Sequence, residues 1–135
     1  MEATVHYLDG VKFDVSISNH SVVCDQPVEN KGTDAGISPP EFLLASLATC
    51  AGYYALEYLR TRALPTGGLT VHVAADKLKQ PARLGNFRIE ITTPPVESRH
   101  EEGVLRAVKS CLIHNTLLNP PAMDVLVNAT AAVAA

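Results

Sequence analysis

Apolar and polar residues alternate over the first quarter of the chain. ATVHYL (residues 3–8) and VKFDVSIS (residues 11–18) are period-two runs around Asp9-Gly10, the strongest short-range sign of a β-hairpin. Val11, Phe13, Val15 and Ile17 fall on one face, and Lys12, Asp14, Ser16 and Ser18 on the other. A short third strand, SVVCD, follows. QPVENKGTDAGISPP then reads as a surface loop that ends in a helix start: Ser38 can cap, prolines suit the first turn, and Glu41 stands where a capping box places its acid.

The period then changes. From about Pro39 to about Arg62 the chain predicts one long helix, uncharged between Glu41 and Glu57 and stopped near Leu64-Pro65-Thr66-Gly67-Gly68. LTVHVAADKL and FRIEITT alternate again and predict half-buried strands joined by the loop KQPARLGN. VESRHEEGVLRAVKSCLIHNTLLN predicts a second helix, acidic early and basic later as the helix dipole favours, with Val104, Leu105, Val108 and Leu112 at helical spacing. Asn119-Pro120-Pro121 stops it, and MDVLVNATAAV predicts a closing strand. The expected class is α+β, one domain over residues 1–135, with antiparallel strands, a long central helix and a second helix.

Phe42 to Leu59 has the length of a short transmembrane span. Its ends carry Glu41 and Glu57 instead of basic anchors, and Ser46, Thr49 and Cys50 dilute it, so no membrane role is expected. A helix apolar on every face needs cover on every face, more than one small domain supplies. A homodimer with these helices at its centre is the expected solution.

The net charge of −3, with no Lys/Arg run, argues against a nucleic-acid partner. Three cysteines cannot all pair within one chain, and MEATVHYLDG has neither the basic start nor the apolar run of a secretory signal. The expected compartment is a reducing cytoplasm. Cys24, beside Asp25 on a strand, reads as a small buried hydrophobe. Cys50, among alanines, tyrosines and leucines, reads by the same rule as packing more than as chemistry when taken alone. Cys111 lies at the later end of a helix with Lys109 and His114 close by in sequence, cations that favour a thiolate.

Taken together, SPPEFLLASLATC and, sixty-one residues after Cys50, VKSCLIHNTL resemble the OsmC/Ohr family, the osmotically inducible and organic hydroperoxide resistance proteins. The resemblance covers nearly the whole chain and implies a small intertwined homodimer whose two cysteines meet at the subunit interface. It implies that Cys50 is a peroxidatic thiolate, that Cys111 resolves its sulfenic acid to a disulfide, and that an external dithiol reduces the disulfide. The substrate would be a small organic hydroperoxide, with Phe42, Leu47, Tyr53 and Tyr54 near an apolar pocket. No cofactor is implied. Two departures place the chain in the divergent OsmC-like branch. The peroxidases use an arginine held by a glutamate at the start of the long helix. Glu41 matches the glutamate, but no arginine precedes Arg60, and only Lys12 and Lys31 lie ahead of the helix. Leu112 also stands where proline is common. Lys31 is the candidate substitute, although lysine lacks the planar fork of arginine. Two other readings stay open: a non-catalytic dimer holding a small apolar ligand, and a metal site of Cys50, Cys111 and His114, for which Cys-x-x-His is one weak ligand pair.

Overall fold

The computed structural model describes residues 1–130. The chain runs β1 (Ala3–Tyr7), β2 (Phe13–Ile17), β3 (His20–Cys24), a 3₁₀ turn (Val28–Asn30), α1 (Pro39–Thr61), β4 (Thr70–Lys79), β5 (Ala82–Thr92), α2 (Ser98–Val108) and α3 (Leu112–Leu118). All strand pairing is antiparallel, in a three-stranded sheet β1-β2-β3 and a two-stranded sheet β4-β5, so the class is α+β as expected.

The Asp9-Gly10 hairpin forms with Ala3 opposite Ile17 and Tyr7 opposite Phe13. Gly10 takes a positive φ of 55°, and the Lys12 ammonium reaches the Asp9 carboxylate at 3.0 Å. This sheet makes no substantial packing contact with the helices or with β4-β5. Val5, Tyr7, Phe13, Ile17 and Val22 are consequently exposed. A sheet so uncovered has no hydrophobic core of its own.

Between β3 and α1 the loop is closed by one carboxylate. Asp25 is fully buried and accepts hydrogen bonds from the main-chain N–H of Gln26 (2.8 Å), Thr33 (2.9 Å) and Ala35 (3.0 Å) and from the Thr33 hydroxyl (2.8 Å). Its pKa lies well below the ordinary carboxylate range, the Ala35 N–H contributing most and the Thr33 and Gln26 donors adding to it against the cost of burial. The loop also returns to β3 through a bridge between Cys24 and Ile37, where Gly36 packs so close to the Val23 carbonyl that a side chain would collide with it.

Helix α1 begins one residue after its Ser38 cap and ends within one residue of the expected boundary. It buries a single stripe at four-residue spacing, Leu47, Ala51, Ala55 and Leu59. Against this stripe pack Val104 and Val108 of α2, with Val71, Ile89 and Ile91 of the β4-β5 hairpin beside them. Gly103 of α2 lets Tyr58 approach, the Tyr58 hydroxyl lies 3.2 Å from His100 Nδ1, and Arg62 stacks over the Tyr58 ring at 3.8 Å. By length and composition α1 could cross a membrane. Its stripe makes it the core helix of a folded domain instead. Its other large apolar side chains are half-buried except Tyr53, which is 60% exposed.

Three expectations need correction. The loop expected at residues 79–86 is mostly strand: β4 and β5 turn at Gln80-Pro81, and Asn86-Phe87 form a bulge, between the pairs Asp76–Gly85 and Ala74–Arg88. A left-handed residue suits a bulge as well as a turn, and Asn86, at φ 53°, donates to Asp76 at 2.9 Å. The single second helix is two helices. Cys111 is extended (φ −57°, ψ 131°) and caps α3, so Leu112, expected on the buried stripe, is exposed while Cys111 is buried. The closing strand is absent over 123–130, and residues 131–133 of that expectation lie outside the described residues. Met123, Val125, Leu126 and Val127 are 82–90% exposed there. Alternation encodes a strand only where an edge can accept its hydrogen bonds.

A depressed folded-state pKa means that the Asp25 contribution is fully present above the unfolded value of about 3.9 and is lost as pH falls through the folded value. We therefore expect denaturant midpoints of the wild type to fall on acidification below about pH 4. Asp25→Asn should be clearly less stable at pH 7 and lose less on acidification. Equal stability of the two proteins at pH 7 would show that the clasp is dispensable.

Candidate functional site

The site is built where α1 meets the break between α2 and α3. Helix α2 runs antiparallel to α1, its His100 end at Tyr58 and its Val108 end near Ala51. Past Val108 the chain tightens, with the Cys111 N–H bonding to the Val108 carbonyl at 2.9 Å, and then extends at Cys111. That single extended residue delivers the Cys111 thiol beside Cys50.

The two thiols are direct neighbours. Burial raises the Cys111 pKa, and the adjacent Cys50 thiol raises it further; main-chain N–H groups of His114 and Ile113 oppose them. The His114 N–H lies 3.5 Å from Cys111 Sγ, so the sulfur serves as the helix cap. Cys111 is 0% exposed, whereas Cys50 is half-buried. One sulfur is thus reachable and the other is protected. Cys24, 8% exposed, has its pKa raised by burial and by Asp25, which keeps it a thiol.

Glu41 sits in its capping box, accepting from the Ser38 N–H at 2.7 Å and the Ser38 hydroxyl at 2.6 Å. These bonds lower its pKa, the hydroxyl contributing most, and Lys77 on β4 adds a smaller attraction. Nine residues separate Glu41 from Cys50. That is ~2.5 turns, so the two side chains leave opposite faces of α1 roughly 13 Å apart along its axis. Lys31 is exposed, in a left-handed conformation (φ 69°) at the end of the 3₁₀ turn inside the loop that Asp25 holds. The cation whose field reaches Glu41 is Lys77, which shares a cavity with it. Among the described residues no group of three or more His, Cys, Asp or Glu side chains is arranged to hold a metal ion.

Two of these residues were not singled out by the sequence. Lys77 lies in the alternating run LTVHVAADKL, where a polar position reads as a solvent-facing one. Asp25 was weighed only for its effect on Cys24. Its donors at Thr33 and Ala35 are eight and ten residues away, a spacing with no local signature.

The sequence model of the OsmC-like protein family matches residues 32–125. No curated protein matches the chain in sequence. Several solved structures share its fold. One, described as an osmotic stress induced and detoxification response protein from Psychrobacter arcticus, aligns with a TM-score of 0.77 at 22% identity, over 84% of this chain and 85% of that one. An OsmC-like protein from Mycoplasma pneumoniae aligns with a TM-score of 0.72 at 22% identity, over 88% and 87%. An organic hydroperoxide resistance protein from Elizabethkingia anophelis aligns with a TM-score of 0.61 at 17% identity, over 89% and 90%.

The adjacency of the thiols sets a direct expectation. Mild peroxide treatment followed by non-reducing peptide mapping should recover a link between Cys50 and Cys111 and none through Cys24. A dominant link involving Cys24 would separate the observed pair from the oxidation chemistry.

Proposed function

The chain belongs to the OsmC-like protein family, and from that premise we propose that it is a thiol-dependent peroxidase that reduces organic hydroperoxides. The observation that carries the reading is the pair of adjacent thiols, Cys50 reachable and Cys111 buried. The Cys50 thiolate attacks the terminal oxygen of the hydroperoxide, the O–O bond breaks, and the leaving alkoxide takes a proton to become the alcohol. The Cys50 sulfenic acid then condenses with the Cys111 thiol, forming the S–S bond and releasing water. An external dithiol supplies two electrons and two protons to restore both thiols.

A thiolate in apolar surroundings needs a cation. Lys77, whose field reaches Glu41, and Lys31, in the preceding loop, are the lysines at the Glu41 end of α1. Because Glu41 and Cys50 leave opposite faces of their own helix, we read the site as completed across a homodimer. The exposed Tyr53 of α1 and the uncovered β1-β2-β3 sheet support that assembly. A non-catalytic ligand-binding dimer is the second reading, favoured by the absence of any arginine before Arg60.

Turnover of cumene hydroperoxide with a dithiol separates the two. Cys50→Ser should reduce consumption to the background rate, and Cys111→Ser should lose activity over successive turnovers. Glu41→Ala, and whichever of Lys77→Ala or Lys31→Ala removes the working cation, should slow the first step about tenfold, equivalent to ~1.4 kcal/mol. Wild type and Cys50→Ser consuming hydroperoxide equally slowly would leave the binding reading. Sedimentation should show a dimer at micromolar concentration, and a stable monomer would remove the shared site.

A further inference from the structure

The thiol pair has a closed side and an open side. Cys111 lies in the break between α2 and α3 and is 0% exposed. Cys50 stands at the border of the buried stripe of α1: Leu47 and Ala51, toward the core, are buried, Thr49 on the other side is exposed, and Cys50 itself is half-buried. The two sulfurs are thus ranked by depth, with Cys111 inside and Cys50 at the edge.

Depth decides which sulfur of a Cys50–Cys111 disulfide an incoming thiol can use. Exchange proceeds by attack of a thiolate on one sulfur, in line with the S–S bond and opposite the sulfur that leaves, through a mixed disulfide. Attack on Cys50 comes from the side away from Cys111, which is the side toward solvent. Attack on Cys111 has to come from the far side of a residue that has no exposed surface. The leaving sulfur matters as well, since a thiol of raised pKa departs more slowly, and burial, then the neighbouring Cys50 thiol, raise that of Cys111. This slows exchange at Cys50 but opens no route to Cys111, so access decides. Once expelled, a sulfur of raised pKa is held as the thiol, a poor nucleophile for return onto the mixed disulfide.

We propose that the external reductant enters at Cys50 alone, so that the mixed disulfide stands on Cys50 and Cys111 is the leaving group. This deepens the peroxidase reading and rests on it for its place in a cycle. The reductant's thiolate bonds to Cys50 Sγ as the Cys50–Cys111 bond breaks, the electron pair goes to Cys111 Sγ, and that sulfur takes a proton. The second thiolate of the dithiol then attacks its partner sulfur in the mixed disulfide, closing the reductant's own disulfide and releasing Cys50 as a thiolate. One opening therefore serves hydroperoxide and reductant in turn.

The disulfide is made with diamide, which takes two electrons and two protons from a pair of thiols and needs no hydroperoxide. A chain inert toward hydroperoxide thus fails the peroxidase reading and leaves this measurement in force. The oxidised wild type is mixed with the monothiol 2-mercaptoethanol, quenched in acid at the earliest times and mapped without reduction. The adduct should stand on the Cys50 peptide in about tenfold or greater excess over Cys111, because access enters the exchange rate directly. Cys111 should be recovered as the free thiol. The proposal is overturned by an adduct mainly on Cys111, by equal adducts on both, by no adduct on Cys50, or by diamide leaving the two thiols unlinked. Every arm is read on the wild type, so the outcome does not depend on how any variant folds.

Discussion

Close approach of α1 and α2 along one narrow stripe governs everything else. Ala51 and Ala55 are small enough to admit Val104 and Val108, and Gly103 leaves room for Tyr58 where the helices meet at their other end. Two helices held this near, and antiparallel, bring the last turn of α2 beside Ala51. The residue before Ala51 is Cys50, and the residue at which the chain leaves the α2 trajectory is Cys111. The thiol pair is therefore a consequence of backbone packing rather than of any contact between the cysteines.

Much of this was legible in the sequence where one residue class carries an unambiguous local rule. The Asp9-Gly10 hairpin, the Ser38 start of α1 and the alternation around Val71 and Ile89 all follow local rules and appear where those rules place them. The break at Cys111 does not, because helical spacing persists through VKSCLIHN while one extended ψ redirects the chain. Asn86 was ambiguous in the same sense, since a bulge and a loop use the same residue type. Adjacency of Cys50 and Cys111 came from resemblance to a family; nothing in their separation alone demands it. Lys77 was invisible because proximity to Glu41 is a property of the folded sheet and helix.

What the chain leaves uncovered is as informative as what it buries. A sheet that packs on no other element, the outward Tyr53 of a long helix and an apolar run at residues 123–127 are three surfaces of the same kind. Each has the sequence pattern of an interior and the exposure of an exterior. Local pattern thus specifies more interior than one copy of this chain encloses.

The cap of α3 carries one last implication. Its acceptor is a sulfur, and the hold of a sulfur on an N–H depends on its charge: an ionised acceptor binds a donor about twice as strongly as a neutral one. The main-chain N–H groups of His114 and Ile113 both act on Cys111 Sγ. The first turn of this helix is therefore wired to the electron density on one atom, tightening when the sulfur is anionic and slackening when it is neutral. A change at Cys111 too small to move any strand would be registered first in the rate at which these two amides exchange their protons with water.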